Sequence, residues 1–363
     1  MSDIVVVASN PIVRHPRIFK IVNSLKKRYS VTVLGWNRDG LPSKDVKDYV
    51  VDLNLFNVRA PWNTPFLLLY YPLLWMWIFL KLMKYRPNVV HAIDLDVLIP
   101  CCVYKLIFRK NLVYDVHDRY AGYVPPGIPL LPSAINLVEE LLSKSADVLV
   151  TVSEKVLGTF RLGPKHSAVI ANYSVDYNIN LEKPKESALT LVYTGLICKE
   201  QGLERITAAI KNLKDVQLYV AGRVADKQLF DVMLTLPNVR YKGHLLPNDS
   251  IKLEANSDVM MVLYDLSYSK NKLSSPNKIF EAMMCGIPII TNMEPDLVNE
   301  VGCGITVDYN MIDQIREAII LFKDNIEKRI KMGQNGRRAF LEKYNWVSME
   351  EKLYEIYGNL IKR

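Results

Sequence analysis

The stretch SPNKIFEAMMCGIPIIT, residues 275–291, has the pattern of a capped helix that leads into a buried strand. Ser275 is a favoured N-cap residue, and Pro276 is favoured at the first position of a helix. Gly286 follows the apolar residues of the helix, where a glycine commonly ends one. The apolar run around Pro288 then predicts a buried strand. A helix followed directly by a buried strand is the repeating unit of an α/β fold.

The same alternation extends in both directions along the chain. Several apolar runs are continuous rather than alternating, which is typical of parallel strands buried on both faces. The polar residues 172–188 interrupt the alternation and predict a linker between two domains. The predicted strands are Ile4–Ala8, Val31–Gly35, Tyr49–Leu53, Asn88–Ala92, Leu112–Val116, Asp147–Val152 and Ala168–Ala171 before the linker, and Leu189–Thr194, Gln217–Ala221, Val239–Tyr241, Asp258–Leu263, Ile287–Thr291 and Ile305–Val307 after it.

This pattern predicts two Rossmann-like, doubly wound α/β domains. The first covers residues 1–180 and the second covers residues 181–345, and a helix over 346–363 is expected to pack back on the first domain. Ligands of open α/β sheets bind at the carboxyl ends of the strands. We therefore expect the two domains to face each other across a cleft that holds the functional site.

Composition and charge narrow the possible functions. The chain has 363 residues, of which 50% are hydrophobic and 23% charged, as in ordinary globular proteins. Its five cysteines show no metal-ligand spacing and predict buried thiols in a reducing compartment. The N-terminus lacks the basic start and cleavage pattern of a signal peptide, so we expect a cytoplasmic protein. The net charge of +8, without a nucleic-acid-binding signature, favours a membrane surface or a phosphorylated ligand as the partner rather than nucleic acid.

One face of the helix that begins near Ser275 suits a nucleotide diphosphate. The N–H groups and the positive dipole end of a helix start attract phosphate, and Lys278 adds a full charge. Glu281 is three residues further on, so it shares a face with Lys278, and its carboxylate can accept hydrogen bonds from a diol such as ribose. The same residues also fit an ordinary capped surface helix with an ion pair, and the pattern by itself leaves both interpretations open.

The quoted stretch resembles the nucleotide-sugar signature of glycosyltransferase family 4, whose members have the GT-B fold. Other segments follow in the order of that family: HPRIFKIVNSLKKRYSVTVLGW from residue 15, NVVHAIDLDVL from 88, LVYDVHDRY from 112, ADVLVTVSE from 146, LVYTGLICKEQGLE from 191 and YVAGR from 219. The resemblance covers nearly the whole chain. It implies an enzyme that transfers a hexose from a nucleotide diphosphate sugar with retention of configuration, through departure and attack on the same face.

The resemblance assigns the donor sugar and its ribose to residues of the second domain. Glu281 would hold the ribose. Where the family usually has a glutamate that contacts the donor sugar, this chain has Leu273. That contact is then either missing or supplied by Ser274, Ser275 or Asn277, and the identity of the sugar stays open.

The resemblance also implies a site for the diphosphate. The family's two phosphate-binding cations are replaced here by Leu196 and Gln201. A diphosphate leaving group needs cationic stabilisation, so at least two nearby cations should face the phosphates. The candidates are Lys199, Arg223 and Lys278. Gly195 would let the backbone approach the donor.

In the first domain, the resemblance points to the residues after LVYDV. His117 would reach the donor sugar near its reacting carbon and act through position and electrostatics, and Asp118 would contact the sugar or the acceptor. Arg14, His15 and Arg17 lie in the first strand–helix loop. They are candidates for binding an anionic acceptor, and they equally fit a solvated helix start.

Asp94-Leu95-Asp96 has the form of the D-x-D metal motif, which belongs to the single-domain GT-A architecture. Because it follows a predicted strand here, we expect Asp96 to cap the next helix. Asp94 is an acceptor-side candidate. We expect no essential metal and no cofactor other than the donor itself.

Residues Phe66–Leu80 carry no charge, and Lys81, Lys84 and Arg86 follow them. Fifteen helical residues span about 22 Å, less than the ~30 Å of a hydrocarbon core. Pro72 would also kink the helix. We therefore predict a crossover helix whose outer face contacts a membrane surface, with a protein partner or a neighbouring helix as the alternative.

These expectations combine into one working assignment. The donor is a UDP-sugar or GDP-sugar, the acceptor is a glycan or a lipid-linked molecule, and the enzyme is peripheral to the inner face of the cell membrane. Two alternatives stay open: a GT-B-fold sugar-nucleotide epimerase or phosphorylase, and a non-catalytic sugar-nucleotide-binding protein.

Overall fold

The structure is a computed structural model that describes residues 2–9, 15–38, 40, 52–61, 65–124, 128, 130–179 and 188–361. The chain divides into two compact units: Met1–Ala171 together with Met349–Arg363, and Asn172–Ser348. Each unit has its own parallel sheet with helices between the strands. The prediction of two Rossmann-like α/β domains is therefore confirmed.

The first unit is built on seven strands: β1 (Ile4–Ala8), β2 (Val31–Trp36), β3 (Asp52–Phe56), β4 (Val89–Ile93), β5 (Asn111–Val116), β6 (Val148–Thr151) and β7 (His166–Val169). Their order in the sheet is β3-β2-β1-β4-β5-β6-β7, and every neighbouring pair is parallel. Strands β1, β2 and β4 are buried at every position, which explains their continuous apolar sequence.

Helices connect these strands in the usual α/β manner. They are α1 (Pro16–Leu25), α2 (Tyr71–Tyr85), α3 (Leu95–Phe108), α4 (Leu131–Ser143) and α5 (Glu154–Leu157), with 3₁₀ turns at Pro65–Leu69 and Tyr120–Tyr123. Helix α3 contacts both α2 and α4, so the three form one layer on the sheet.

The second unit has six strands: β8 (Leu189–Thr194), β9 (Val216–Ala221), β10 (Val239–Tyr241), β11 (Val259–Val262), β12 (Ile289–Thr291) and β13 (Gly304–Thr306). They are all parallel, in the order β10-β9-β8-β11-β12-β13. Its helices are α6 (Leu203–Ile210), α7 (Lys227–Leu234), α8 (Pro247–Ala255), α9 (Ser269–Lys272), α10 (Asn277–Cys285), α11 (Pro295–Val301), α12 (Ile312–Asp324) and α13 (Ile326–Glu342), and a 3₁₀ turn covers Lys199–Gln201.

The last helix, α14 (Trp346–Ile361), belongs to the first unit from Met349 onward. Its Tyr357 hydroxyl lies 2.5 Å from Nδ1 of His91 in β4. Asn111 donates a hydrogen bond of 2.8 Å to the carbonyl oxygen of Leu360. These contacts fix α14 beside the central strands of the first sheet.

The unit boundaries lie at 171/172 and 348/349 rather than at the predicted 180/181 and 345/346. Residues just after 171 already pack in the second unit, where the Tyr173 ring is 4.8 Å from the Phe280 ring. Asp176 forms an ion pair of 2.7 Å with Arg337. The sequence after residue 171 is polar and aperiodic, so it did not predict these contacts.

Two strands are displaced from their predicted positions. Strand β3 runs over Asp52–Phe56 instead of Tyr49–Leu53, of which residues 49–51 lie outside the described part of the chain. Strand β7 runs over His166–Val169 instead of Ala168–Ala171. Both form edges of the sheet, where exposed residues weaken the apolar signal.

Candidate functional site

Helix α10 carries the donor-side candidates and begins at Asn277. The residue in the capping position is Pro276, so the prediction that Ser275 caps the helix is wrong. The carbonyl oxygen of Ser275 instead accepts a hydrogen bond of 3.0 Å from Asn172. Oδ1 of Asn277 is buried and has no hydrogen-bond partner in the described part of the chain. Gly286 ends the helix with a φ of 66°, as predicted.

Lys278 lies at the centre of the donor-side residues. Its Nζ is 3.5 Å from the Tyr264 hydroxyl and 5.1 Å from the centre of the Tyr193 ring. A Cβ added to Gly195 would lie 2.9 Å from the same Nζ, so the structure brings Lys278 and Gly195 together. Burial opposes the charge of Lys278, but Tyr264 and Glu281 outweigh it and raise the pKa of the lysine. The site therefore holds a charged lysine against a glycine backbone.

Two glycines allow the strand-end loops of the second unit to meet. Gly195 follows β8 with a φ of 139°, and Gly222 follows β9 with a φ of 138°. Residues with a Cβ rarely adopt this conformation. A Cβ at Gly222 would lie only 1.7 Å from the carbonyl oxygen of Gly195. Sequence reasoning singled out Gly195 and missed Gly222, although a glycine directly after a buried strand was the available signal.

The other two cation candidates are on these same loops. Lys199 begins the 3₁₀ turn after β8, Arg223 follows Gly222, and both are exposed. The N–H of Ile197 donates a hydrogen bond of 2.9 Å to the carbonyl oxygen of Arg223, so the two loops lie side by side. Lys278 is thus enclosed by the site, whereas Lys199 and Arg223 remain accessible from solvent.

Glu254 of α8 is a site residue that sequence reasoning missed. It is buried, and its Oε1 accepts a hydrogen bond from the Thr194 hydroxyl at the end of β8. Burial and the nearby Glu281 carboxylate raise its pKa well above the usual range, against the effects of Thr194 and Lys278. The surroundings of Glu254, beside Lys278 and Glu281, therefore favour its protonated form. In the sequence, KLEANS looks like the surface of an ordinary helix.

Asp115, near the end of β5, organises the polar residues of the first unit. Arg17 from α1 binds both of its oxygens, with distances of 2.7 Å to Oδ1 and 3.1 Å to Oδ2. Nε2 of His117 lies 3.3 Å from Oδ2. Burial by itself would raise the pKa of Asp115, but Arg17 and His117 hold it well below its usual range. Asp115 is therefore a buried carboxylate between a guanidinium group and an imidazole.

The two sequence interpretations of Arg17, an anion-binding residue and a solvated one, are both wrong. Its side chain is 1% exposed, and it is bound to Asp115 and to the carbonyl oxygen of Ile170. These contacts leave it no role in binding an anionic acceptor. His15 stacks on His117 with ring centres 4.8 Å apart. Arg14, the other cation candidate of this loop, lies outside the described residues.

His117 is held so that one ring nitrogen is left for a ligand. Burial lowers its pKa although Asp115 opposes the shift, so the imidazole is neutral near pH 7. Its backbone N–H donates a hydrogen bond of 2.9 Å to Oδ1 of Asp94. Its Nδ1 is buried, lies 4.0 Å from Oδ2 of Asp94, and has no hydrogen-bond partner in the described part of the chain.

The two aspartates of the D-x-D segment have different positions from those expected. Asp94 occupies the capping position of α3 with a φ of 64°, and Asp96 lies in the first turn, so the prediction that Asp96 caps the helix is wrong. Burial and Asp96 raise the pKa of Asp94 well above its usual range. Asp118 accepts a hydrogen bond of 2.7 Å from the Tyr123 hydroxyl. Among the described residues, no group of three His, Cys, Asp or Glu side chains is placed to hold a metal ion.

The apolar helix α2 packs on the sheet through one side only. With the preceding turn it forms the stretch Phe66–Tyr85, which is long and apolar enough to cross a membrane and is 22% buried in its most apolar window. Length therefore does not exclude a membrane span, contrary to the sequence argument. The side that carries Leu74, Ile78 and Leu82 is buried in the first unit, however, and α2 connects β3 to β4 as a crossover helix.

The exposed side of α2 continues onto two neighbouring helices. We call the exposed apolar residues of this layer the three-helix surface: Phe66, Leu68, Leu69, Leu73, Met76 and Leu80 of α2 and its turn, Val103, Leu106, Ile107 and Phe108 of α3, and Leu131, Leu137, Val138 and Leu141 of α4. Basic residues lie in the last turn of each helix or directly after it: Lys84 and Arg86, Arg109 and Lys110, and Lys144. The acidic residues Glu139 and Glu140 of α4 face Arg119 instead.

Comparison with known proteins agrees with this architecture. Residues 17–172 match the family model described as Glycosyltransferase Family 4, and residues 199–354 match a model described as Glycosyl transferase-like. The chain is a family 4 glycosyltransferase. No curated protein sequence matches it.

Solved glycosyltransferase structures share the whole fold of this family 4 enzyme. Anabaena HepE in complex with UDP-glucose aligns with a TM-score of 0.76 at 16% identity, covering 99% of this chain and 100% of that one. Sucrose-phosphate synthase from Thermosynechococcus elongatus aligns with a TM-score of 0.73 at 13% identity, covering 99% of both chains. A glycosyltransferase from Rickettsia africae aligns with a TM-score of 0.72 at 16% identity, covering 99% of this chain and 98% of that one. The two-unit fold is therefore the GT-B fold.

Proposed function

We propose that this glycosyltransferase moves a hexosyl group from a UDP-sugar or GDP-sugar to a sugar of a glycan or of a lipid-linked acceptor. The observation that carries the proposal is the contact of charged Lys278 with Gly195 at the start of α10, with Glu281 one turn further along the helix. This arrangement supplies a cation and backbone N–H groups for a diphosphate and a carboxylate for the ribose. The bound UDP-glucose of HepE supports a uridine nucleotide as the first donor to test.

The second unit, in this proposal, stabilises the departing nucleotide diphosphate. Lys278 and the first N–H groups of α10 offset the charge that develops on the leaving oxygen. Asn277 adds a buried acceptor for a hydroxyl of the donor. The raised pKa of Glu254 favours its neutral form, which limits the negative charge near the phosphates. These groups supply the stabilisation without a metal ion, and we propose that the reaction needs none.

Among the described residues of the first unit, the carboxylates near His117 are Asp115, Asp94 and Asp118, and Asp118 accepts a hydrogen bond from the Tyr123 hydroxyl. Asp115 is engaged by Arg17, and the raised pKa of Asp94 makes it a poor nucleophile. Retention is then best explained by departure and attack on the same face of the sugar, with the diphosphate oxygen taking the proton of the acceptor hydroxyl. An anomer-resolved NMR assay should show retained configuration, and an inverted product would contradict this mechanism.

Thermal-shift measurements with UDP-, GDP- and ADP-sugars test the donor assignment. A true donor stabilises the folded state by mass action, by about 2.7 kcal/mol at a hundred times its Kd. Glu281→Ala should abolish the shift, whereas Glu342→Ala, an exposed glutamate of the same unit, should preserve it. Donor turnover without any acceptor would favour an epimerase or phosphorylase, and binding without turnover would favour a non-catalytic protein.

We further propose that the enzyme works as a peripheral protein on the cytoplasmic face of the membrane. The three-helix surface gathers exposed apolar side chains from three neighbouring helices, and the basic ends of these helices suit anionic headgroups. Trp75 and Trp77 do not belong to it: Trp75 donates a hydrogen bond to the carbonyl oxygen of Asp96, and the Trp77 ring packs on Phe56.

Flotation with phosphatidylcholine vesicles, with and without phosphatidylglycerol, tests this location. The variant Leu73→Ser/Met76→Ser/Leu80→Ser should lose binding to the anionic vesicles. A control with Val232→Ser/Leu234→Ser, exposed apolar residues of α7, should bind as the wild type does. Equal binding by all three proteins, or no binding by the wild type, would contradict the proposal.

A further inference from the structure

The buried polar residues of the first unit form a chain that begins on the last helix of the protein. The Tyr357 hydroxyl of α14 lies 2.5 Å from Nδ1 of His91. Nε2 of His91 lies 3.3 Å from Oδ2 of Asp115 and forms no hydrogen bond within the described part of the chain. The same oxygen lies 3.3 Å from Nε2 of His117. One carboxylate oxygen thus faces two imidazoles.

The hydrogen positions along this chain follow from the chemistry of the groups. A neutral imidazole carries one N–H, and a carboxylate can only accept hydrogen bonds. Because Asp115 is ionised, the nitrogens that face it are best protonated, which places the proton of each histidine on Nε2. The hydroxyl of Tyr357 then donates to the Nδ1 lone pair of His91. For His117, the same rule leaves a lone pair on Nδ1.

We propose that Tyr357 and His91 are positioning residues for the reaction. They keep in place the Asp115 oxygen that faces Nε2 of His117 and favours hydrogen on that nitrogen. Nδ1 of His117 then accepts a hydrogen bond from a substrate hydroxyl. The unpartnered, buried state of Nδ1 in the described structure matches such an acceptor. The role of these residues in sugar transfer rests on the proposed function. The tautomer of His117 does not depend on that function.

Loss of the Tyr357 hydroxyl removes the hydrogen-bond partner of His91 Nδ1. In Tyr357→Phe the His91 ring is no longer held on that side, so it can rotate or shift. Its Nε2 then changes position beside the Asp115 oxygen that orients His117. Arg17 still binds Asp115 in this variant, so the ion pair that supports the fold is kept.

Histidine-detected ¹H–¹⁵N NMR tests the inference directly, because the chain has only five histidines and the two tautomers give different nitrogen shifts. Spectra of His91→Gln and His117→Gln assign the two signals. The wild type should show His117 with hydrogen on Nε2 only, and Tyr357→Phe should shift or broaden the His117 signal. A wild-type His117 protonated on Nδ1, or an unchanged signal in Tyr357→Phe, would overturn the inference.

Tyr354→Phe is the matched control on the same helix. The Tyr354 hydroxyl donates to the carbonyl oxygen of Ser24 at 3.1 Å and does not belong to the chain. It should leave the His117 signal unchanged, and an equal change in both variants would overturn a specific role for Tyr357. With an active donor and acceptor, Tyr357→Phe should lower kcat about fivefold, the effect of one lost hydrogen bond, and leave the donor KM within about twofold. If no sugar nucleotide is turned over but the NMR result holds, the proposed function fails and the tautomer assignment stands.

Discussion

The Arg17–Asp115 ion pair gives a quantitative test of how the first unit is built. Both side chains are at most 1% exposed, and the guanidinium makes two hydrogen bonds to the carboxylate. Replacing one partner leaves a buried charge without compensation, which costs about 3–5 kcal/mol. We expect Asp115→Asn and Arg17→Met each to destabilise the first unit by this amount. For a unit of this size the unfolding midpoint should fall by about 6–20 °C.

The assay is thermal or urea unfolding followed by tryptophan fluorescence, because Trp36, Trp75 and Trp77 all lie in the first unit. The double variant should be destabilised by clearly less than the sum of the two single variants, since it leaves no unpaired charge. A midpoint shift of less than about 2 °C in Arg17→Met, together with a raised KM for an anionic acceptor, would contradict this role of the ion pair. Arg17 would then be a ligand-binding residue.

Three further predictions concern individual residues of the two units. Lys278→Met should weaken UDP binding about 10- to 150-fold, because about 1.5–3 kcal/mol of hydrogen bonding to a charged group is lost. Calorimetric titration with UDP measures this, and Lys331→Met, which replaces an exposed lysine, is the control. Gly222→Ala should destabilise the second unit severely and abolish UDP binding, because its Cβ would overlap the carbonyl oxygen of Gly195, and urea unfolding checks the first effect. Burial raises the pKa of Asp96 to about 6. The stability that this shift contributes is therefore complete below about pH 4 and is lost as the pH rises through about 6. Asp96→Asn should remove this pH dependence from the urea midpoint.

The features of the fold and of the donor-side helix that the sequence could predict depend on local signals. Continuous apolar runs such as IVVVA identify strands buried on both faces, and 275–291 identifies a helix that ends at Gly286. The side chains of Lys278 and Glu281 share a face because the helix period places them there. These features need only neighbouring residues, so the two-domain fold and the donor-side helix could be predicted.

The features that sequence missed depend on partners far apart in the chain. Asp115 is 98 positions from Arg17, and His91 is 266 positions from Tyr357. No local sequence pattern can therefore predict either contact. Arg17 therefore looked like a solvated or anion-binding residue, although it is buried. Glu254 was missed for the same reason: its role depends on β8 and α10, which lie elsewhere in the sequence.

Helix starts were predicted one or two residues away from their actual positions. Ser275 and Asp96 are both favoured capping residues, yet Pro276 and Asp94 occupy the capping positions. Asp94 has a φ of 64°, and its side chain accepts a hydrogen bond from the His117 N–H instead of capping the helix. Capping propensity alone carries no information about such tertiary contacts.

A crystal structure of the enzyme with UDP would show whether the start of α10 binds a nucleotide diphosphate. We expect phosphate oxygens within hydrogen-bond distance of Lys278 Nζ and of the Gly195 backbone, and ribose hydroxyls on the Glu281 carboxylate. Well-defined UDP density elsewhere, with Lys278 still directed at Tyr264 and no nucleotide at Glu281, would contradict it.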